Sequence, residues 1–483
     1  MSDAMTDGMI DGMSNRMSNG MNTHEPQRLH AGLDSTADME RIFSDRQCVQ
    51  CMLDVEAALA VAEARHDVIP LAAVAAITAS CDANVIDFAA LAQQAAAAGN
   101  LAIPLVRQLT ARVALNDADA AKYVHWGATS QDIIDTGMVL QLRAALEHID
   151  AHLAQLGDAL AQLAERHCST PQVGRTWMQH ALPISFGLKV AGWLDAVHRH
   201  KLRVARLKID TAVVQFGGAA GTLASLGEHG LKVAQTLADE LKLTLPAMPW
   251  HGARDRFAEV ATTLGLLTGT LGKMALDIAL LAQTEIAELA EPGASGGTAR
   301  GGSSSMPHKR NPVSCAATLA AVRRMPGMVA TMLSAMAQEN ERALGGWQAE
   351  WECLPQIVKL SACALQNMLY VCTNLHVDTD RMRTNLDLTQ GQIMAEAVTL
   401  ALAAKIGRQA AHEVVERACG IANANANGRH LRGVLEHDGV IGANLSTVEL
   451  DRAFDPNQYN GVTMQFIERV VKSWRALSNM ERE

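Results

Sequence analysis

From Glu291 to Pro312 the chain reads Glu-Pro-Gly-Ala-Ser-Gly-Gly-Thr-Ala-Arg-Gly-Gly-Ser-Ser-Ser-Met-Pro-His-Lys-Arg-Asn-Pro, with five glycines and three prolines. So many helix breakers predict a long loop, and long loops inside compact proteins usually serve as lids or binding segments. Its charge is one-sided: Arg300, His308, Lys309 and Arg310 follow with no acid after Glu291. Within residues 301–312, the glycine-flanked Ser303 offers a hydroxyl whose alkoxide would be stabilised by Lys309 and by the free amides of a helix starting near Pro312. Such a group can exchange a proton with carbon. On residue chemistry alone, an anion-binding loop with no catalytic role fits equally well.

The loop needs rigid elements around it, and the sequence supplies them as apolar seams. Leu142, Leu146, Ile149, Leu153, Leu156, Leu160 and Leu163 step by four and three and line one face of a long helix. Phe257, Val260, Leu264, Leu267, Leu271, Met274, Ile278 and Leu281 do the same, and Val322, Met325, Val329, Met332 and Met336 form a third series. Helices this long with narrow seams are expected to pack nearly parallel in an extended bundle, with flanks free for subunit contacts. A purely structural coiled coil explains the helices equally well, but not the loop between them.

The 483 residues exceed what one growing core accommodates, so two or three domains are expected. Aromatics make up only 4% while Ala, Leu, Gln and Glu abound, which predicts an all-α chain. The formal charge of -10 comes without a basic block, which argues against a nucleic-acid partner or a polybasic membrane patch. An anionic substrate must therefore meet a local cationic site. No apolar run approaches a membrane span and the N-terminus lacks a hydrophobic signal core, so a soluble, cytoplasmic protein is expected. Nine scattered cysteines read as reduced thiols, and the Cys48/Cys51 pair as core packing rather than zinc or redox chemistry. No metal-ligand cluster is visible, and no metal or cofactor is expected. Met1, Met5, Met9, Met13, Met17 and Met21 recur every four residues among Gly, Asp, Ser and Asn; residues 1–24 are expected to be a disordered tail rather than a helical partner-binding stripe.

The stretch Gly302-Ser-Ser-Ser-Met-Pro-His-Lys-Arg-Asn-Pro312 resembles the signature of the fumarase/aspartase superfamily, which includes adenylosuccinate and argininosuccinate lyases. His125-Trp-Gly-Ala-Thr-Ser-Gln-Asp132 and Gly174-Arg-Thr-Trp-Met-Gln-His-Ala-Leu-Pro183 resemble two further family regions, in the expected order. The resemblance runs from about Arg28 to the C-terminus. It implies a three-domain helical subunit with a long central bundle, here residues 25–124, 125–376 and 377–483, in a homotetramer whose active sites combine segments of three subunits. It further implies that Ser303 is the carbon acid/base, with Lys309 and Asn311 beside the substrate and Thr129 and Ser130 holding a carboxylate. Next to an aromatic, a lone histidine such as His125 is ordinarily structural, but its place in the motif favours orienting or neutralising the substrate. Arg300 and Arg310 are expected to add positive charge. Arg254, with Arg256, fits either anion binding or an ordinary helix start with ion pairs.

Two departures concern one device. In the related lyases a glutamate-held histidine protonates the leaving group; here Trp177 stands in the histidine's place, as an expected pocket wall, and Ala316 in the glutamate's. His180 is displaced from that position. An amine or alkoxide leaves poorly unless protonated, whereas a carboxylate, ionised above a pKa of about 4, attacks or leaves unaided. Together with Gly346-Trp-Gln-Ala-Glu-Trp351, these departures resemble the lactone-forming 3-carboxy-cis,cis-muconate cycloisomerase branch. That branch implies a small polycarboxylate substrate and a place in protocatechuate catabolism, the beta-ketoadipate pathway. An adenylosuccinate-type, fumarate-releasing lyase using His125 or His180, and a non-catalytic helical scaffold, stand as alternatives.

Overall fold

The computed structural model describes residues 29–293, 300–424 and 429–480; the Met-rich tail and part of the glycine-rich loop lie outside them. Five long helices form the body: α1 (Asp45–Arg65), α2 (Ser130–Arg166), α3 (Phe186–Thr211), α4 (Asp255–Leu281) and α5 (Val313–Ser334), joined by a sixth, α6 (Gly346–Thr373). The C-terminal helix is α7 (Thr463–Met480).

The first two apolar seams are wholly buried along α2 and α4, which pack against their neighbours to make the bundle core. Of the third seam only Met325 and Met332 on α5 are buried; Val322 and Val329 on the same helix, and Met336 just beyond its end, keep partial exposure. By length and a mean hydropathy of 1.5 in its most apolar window, α4 passes for a membrane span, contrary to the expectation that no run comes near one. Half of that window is buried in the bundle, where the same apolar residues serve as core.

Helices before α2 share one continuous core with the bundle. A separate core, built around Val398, Leu402, Val414, Leu431 and Leu450, belongs to the helices after residue 394. The chain then returns: α7 lays Ile467, Val471 and Trp474 back on the bundle, where the Trp474 indole N–H donates to Asp158 (2.8 Å). Among the described residues the strands form two small antiparallel ribbons, β1 (Pro171–Thr176) with β2 (Gln179–Ser185), and β3 (Leu289–Ala290) with β4 (His376–Val377).

These connections define two ends. Arg254, just before α4, bonds Asp135 near the start of α2 and Glu350 near the start of α6, so three helices begin together. Glu288, past the end of α4, takes Arg175 from β1, while β3 beside it pairs with the strand that follows α6. The 27 residues of α4 place these ends about 40 Å apart.

Candidate active site

At the first end, the turn carrying His125 leads into α2. Asp132 fixes it: its backbone N–H donates to the Thr129 carbonyl (3.0 Å) and its Oδ2 accepts from the Thr129 N–H (3.0 Å), the reciprocal arrangement that starts a helix. The same buried carboxylate accepts from Gly217 N–H (3.0 Å), Gly218 N–H (2.9 Å) and His251 Nε2 (2.7 Å), tying two further loops to the turn. Thr129 and Ser130 thus sit, half-buried, at the positive end of a 37-residue helix, a suitable place for a carboxylate.

His125 lies beside them in a left-handed conformation (φ 62°), with Nδ1 2.6 Å from Oε1 of Glu56 on α1. Burial opposes its protonation, but the charge and hydrogen bond of Glu56, with Asp132 adding to them, prevail and hold the imidazole pKa above the ordinary histidine value. Arg342, from the loop before α6, reaches the same region through a hydrogen bond to the Ala219 carbonyl (3.0 Å).

Arg254 is not free to bind an anion. It is buried, with its guanidinium spread between Asp135 (2.6 Å) and Glu350 (2.5 Å) and packed on the Trp250 and Phe257 rings. Two carboxylates consume the donors a substrate would need, and burial's opposition is overcome so that the group stays charged. The ion-pair reading of this arginine replaces the substrate-binding one; Arg256 likewise donates to the Asp210 carbonyl (2.8 Å).

Ser303 stands at the other end. Its loop closes where Asn311 N–H donates to the Gly301 carbonyl (2.7 Å), at a Gly301 with φ 77° whose missing Cβ would fall 2.3 Å from the Asn311 carbonyl oxygen. Ser303 Oγ accepts from Met306 N–H (3.1 Å), which leaves the hydroxyl hydrogen available, and the Lys309, His308 and Arg310 side chains are exposed beside it. Arg300 lies over the Tyr370 ring (4.3 Å) and donates to Asn367 (3.0 Å), anchoring its stretch of the loop to α6. Glu291 closes the base, accepting from the first amides of α5, Ser314 N–H (3.1 Å) and Cys315 N–H (2.8 Å).

The β1–β2 hairpin projects from this end. Glu288, buried, holds its base through Arg175 (2.6 Å), Gln172 (2.8 Å) and Asn385 (2.8 Å). At the tip Trp177 and Met178 both have positive φ (52° and 64°), and Trp177 is 98% exposed. His180 turns into β2 with a buried, unpartnered Nδ1, and Ala316 lies exposed on the first turn of α5.

One chain therefore brings together His125, Thr129 and Ser130 at one end, and Ser303, Lys309, Asn311, Arg300, Arg310 and the Trp177 hairpin at the other. It does not bring the two sets to each other. Sequence reasoning missed the residues that hold them: Glu56, His251, Glu288 and Glu291. Only Asp132 left a local signal, as an acid three positions after the threonine that starts α2.

The fold is a long helical bundle with polar and charged groups gathered at its two ends. A family model described as lyase matches residues 33–327, and another described as adenylosuccinate lyase C-terminus matches residues 391–470. The chain belongs to this lyase family, the fumarase/aspartase superfamily. Within it, the chain is 52% identical over 441 residues to the 3-carboxy-cis,cis-muconate cycloisomerase of Pseudomonas aeruginosa, covering 91% of this chain and 95% of that one. It is 49% identical over 445 residues to the same-named enzyme of Bradyrhizobium diazoefficiens, covering 92% and 98%. The crystal structure of 3-carboxy-cis,cis-muconate lactonizing enzyme from Pseudomonas putida matches with a TM-score of 0.89 at 48% identity, over 94% of this chain and 100% of that one.

Proposed function

We infer that this chain is an isomerase that closes 3-carboxy-cis,cis-muconate to 4-carboxymuconolactone. The observation that carries the reading is a combination: the Ser303 loop is intact, while Trp177 and the exposed Ala316 stand where a protonating histidine and its glutamate would be. Such a site keeps the means to handle a carbon-bound proton and lacks the means to protonate a leaving amine. Its relatives' lactone chemistry needs only the first.

In the proposed reaction, an oxygen of the C6 carboxylate bonds to C3, the carbon that bears the extra carboxyl, as the C2–C3 double bond opens. The electron pair moves toward C2 and into the adjoining C1 carboxylate, which becomes enolate-like. Ser303 Oγ–H gives its proton to C2, and the alkoxide regains one from water. Lys309, Asn311 and loop amides stabilise the developing charge, while Thr129, Ser130 and His125 hold a second carboxylate. Arg300 and Arg310 contribute field, and Trp177 walls the pocket.

That assignment requires more than one copy of the chain, because the two half-sites lie at opposite ends of one chain, and the resemblance to the superfamily makes the assembly a homotetramer. Exposed Leu202 and Ile209 on α3, Leu266 and Leu276 on α4 and Leu333 on α5 give the bundle the apolar flanks on which further copies would pack. Antiparallel packing would set a Ser303 end against a Thr129 end and bury the Trp177 tip. A cytoplasmic setting suits the nine free thiols.

The test is the ultraviolet absorbance of 3-carboxy-cis,cis-muconate. Wild-type enzyme should abolish the diene band, and Ser303→Ala should bind substrate while turnover falls by about 10²–10⁴-fold. Intact diene at micromolar enzyme, with fumarate released from adenylosuccinate, would move the assignment to a lyase; near-normal kcat in the variant would remove Ser303 from the acid role.

A further inference from the structure

The family's histidine–glutamate pair is missing at Trp177 and Ala316, yet the structure holds another such pair elsewhere. Glu56 extends from the middle of α1, its side chain 1% exposed, and ends 2.6 Å from His125 Nδ1. The histidine side chain is 19% exposed, and its other nitrogen, Nε2, has no hydrogen-bond partner among the described residues. The left-handed backbone at His125 costs free energy that an ordinary surface turn would not retain, and it turns the ring toward the carboxylate. Four residues on, Thr129 and Ser130 open α2.

We propose that Glu56 is a positioning residue: bonded to Nδ1, it fixes the His125 ring as a cation whose Nε2–H faces one carboxylate of the substrate. This rests on the functional reading above and adds how its anion-binding half is charged. A buried carboxylate is tolerated only beside a positive partner, and an imidazolium so held is a weak acid, suited to anchoring an anion and ill suited to giving up a proton. The acidic groups facing the ring are Glu56 from α1 and Asp132 from α2, and both favour its charged form. No bond is made or broken at His125; the proton stays on it through the cycle, while Ser303 supplies the one that reaches C2.

The experiment compares wild type with Glu56→Gln, Glu56→Asp, His125→Gln and the Glu56→Gln/His125→Gln double variant. It measures diene turnover and, by calorimetry, the pH dependence of propane-1,2,3-tricarboxylate binding. Glu56→Gln should raise KM about tenfold or more with kcat changed less than about threefold, and should move the pH at which tricarboxylate binding is lost to a lower value. Glu56→Asp should restore part of both, and the double variant should be no worse than His125→Gln. An unchanged KM in His125→Gln, or losses that simply multiply in the double variant, would overturn the proposal, and His125→Gln decides it even if Glu56→Gln does not fold. Absence of diene turnover by wild type would count against the functional reading; normal wild-type turnover with an unmoved pH profile in Glu56→Gln would count against the pairing alone.

Discussion

Both carboxyl oxygens of Glu63 are buried without a hydrogen-bond partner, seven residues beyond Glu56 on the same helix. Burial, and then the nearby charge of Glu56, push its pKa up to about 9 from 4.5. The folded chain therefore holds a proton here that the unfolded chain releases, and stability contributed by this group falls as pH rises between those values. Glu63→Gln should gain about 1–3 kcal/mol at pH 8 and little below pH 4.5 in paired denaturant titrations; the same gain at both pH values would contradict the assignment. For His125 the raised pKa gives a contribution present at low pH and lost as pH climbs through the folded value. Arg254→Ala should cost about 3–5 kcal/mol, because Asp135 and Glu350 stay buried without their cation. Chemistry concentrated in a loop was legible in the sequence: Ser303, Lys309 and Asn311 announce themselves by their neighbours. Arg254 and Glu56 were not, because a charged residue in a helical stretch looks the same whether its partner is solvent or a carboxylate from another element.

At the scale of elements, α4 and α5 meet through matched small and branched residues. Gly265 faces Val329 and Gly272 faces Val322, each pair seven residues from the next, and a Cβ on Gly272 would lie 2.4 Å from Val322 Cγ2. Gly272→Ala should destabilise the subunit by about 1–3 kcal/mol, and Val322→Ala in the same chain should return part of it. Thermal melting of the single and double variants checks this; additive losses would deny the contact. Seams of leucine and methionine revealed the long helices in advance because a seven-residue apolar repeat has few other solutions. The β1–β2 hairpin left no such trace: its turn uses Trp177 and Met178 in a conformation usually given to Asn and Gly, and its base depends on Glu288, more than a hundred residues away. The return of α7 to the bundle was equally hidden, since an amphipathic helix does not say which core will cover it.

For the molecule as a whole, a bundle about 40 Å long separates the Thr129 turn from the Ser303 loop, so under the proposed function active sites form only between copies. The motifs named the parts but not their separation, which depends on the direction each helix runs. The direct measurement mixes two inactive proteins, Ser303→Ala and the double variant Thr129→Ala/Ser130→Ala, under conditions where mass spectrometry confirms subunit exchange, and follows loss of the muconate diene. Sites that draw the loop and the turn from different copies should recover about a quarter of wild-type activity at equal mixing. Confirmed hybrids with no more activity than either parent would contradict shared sites.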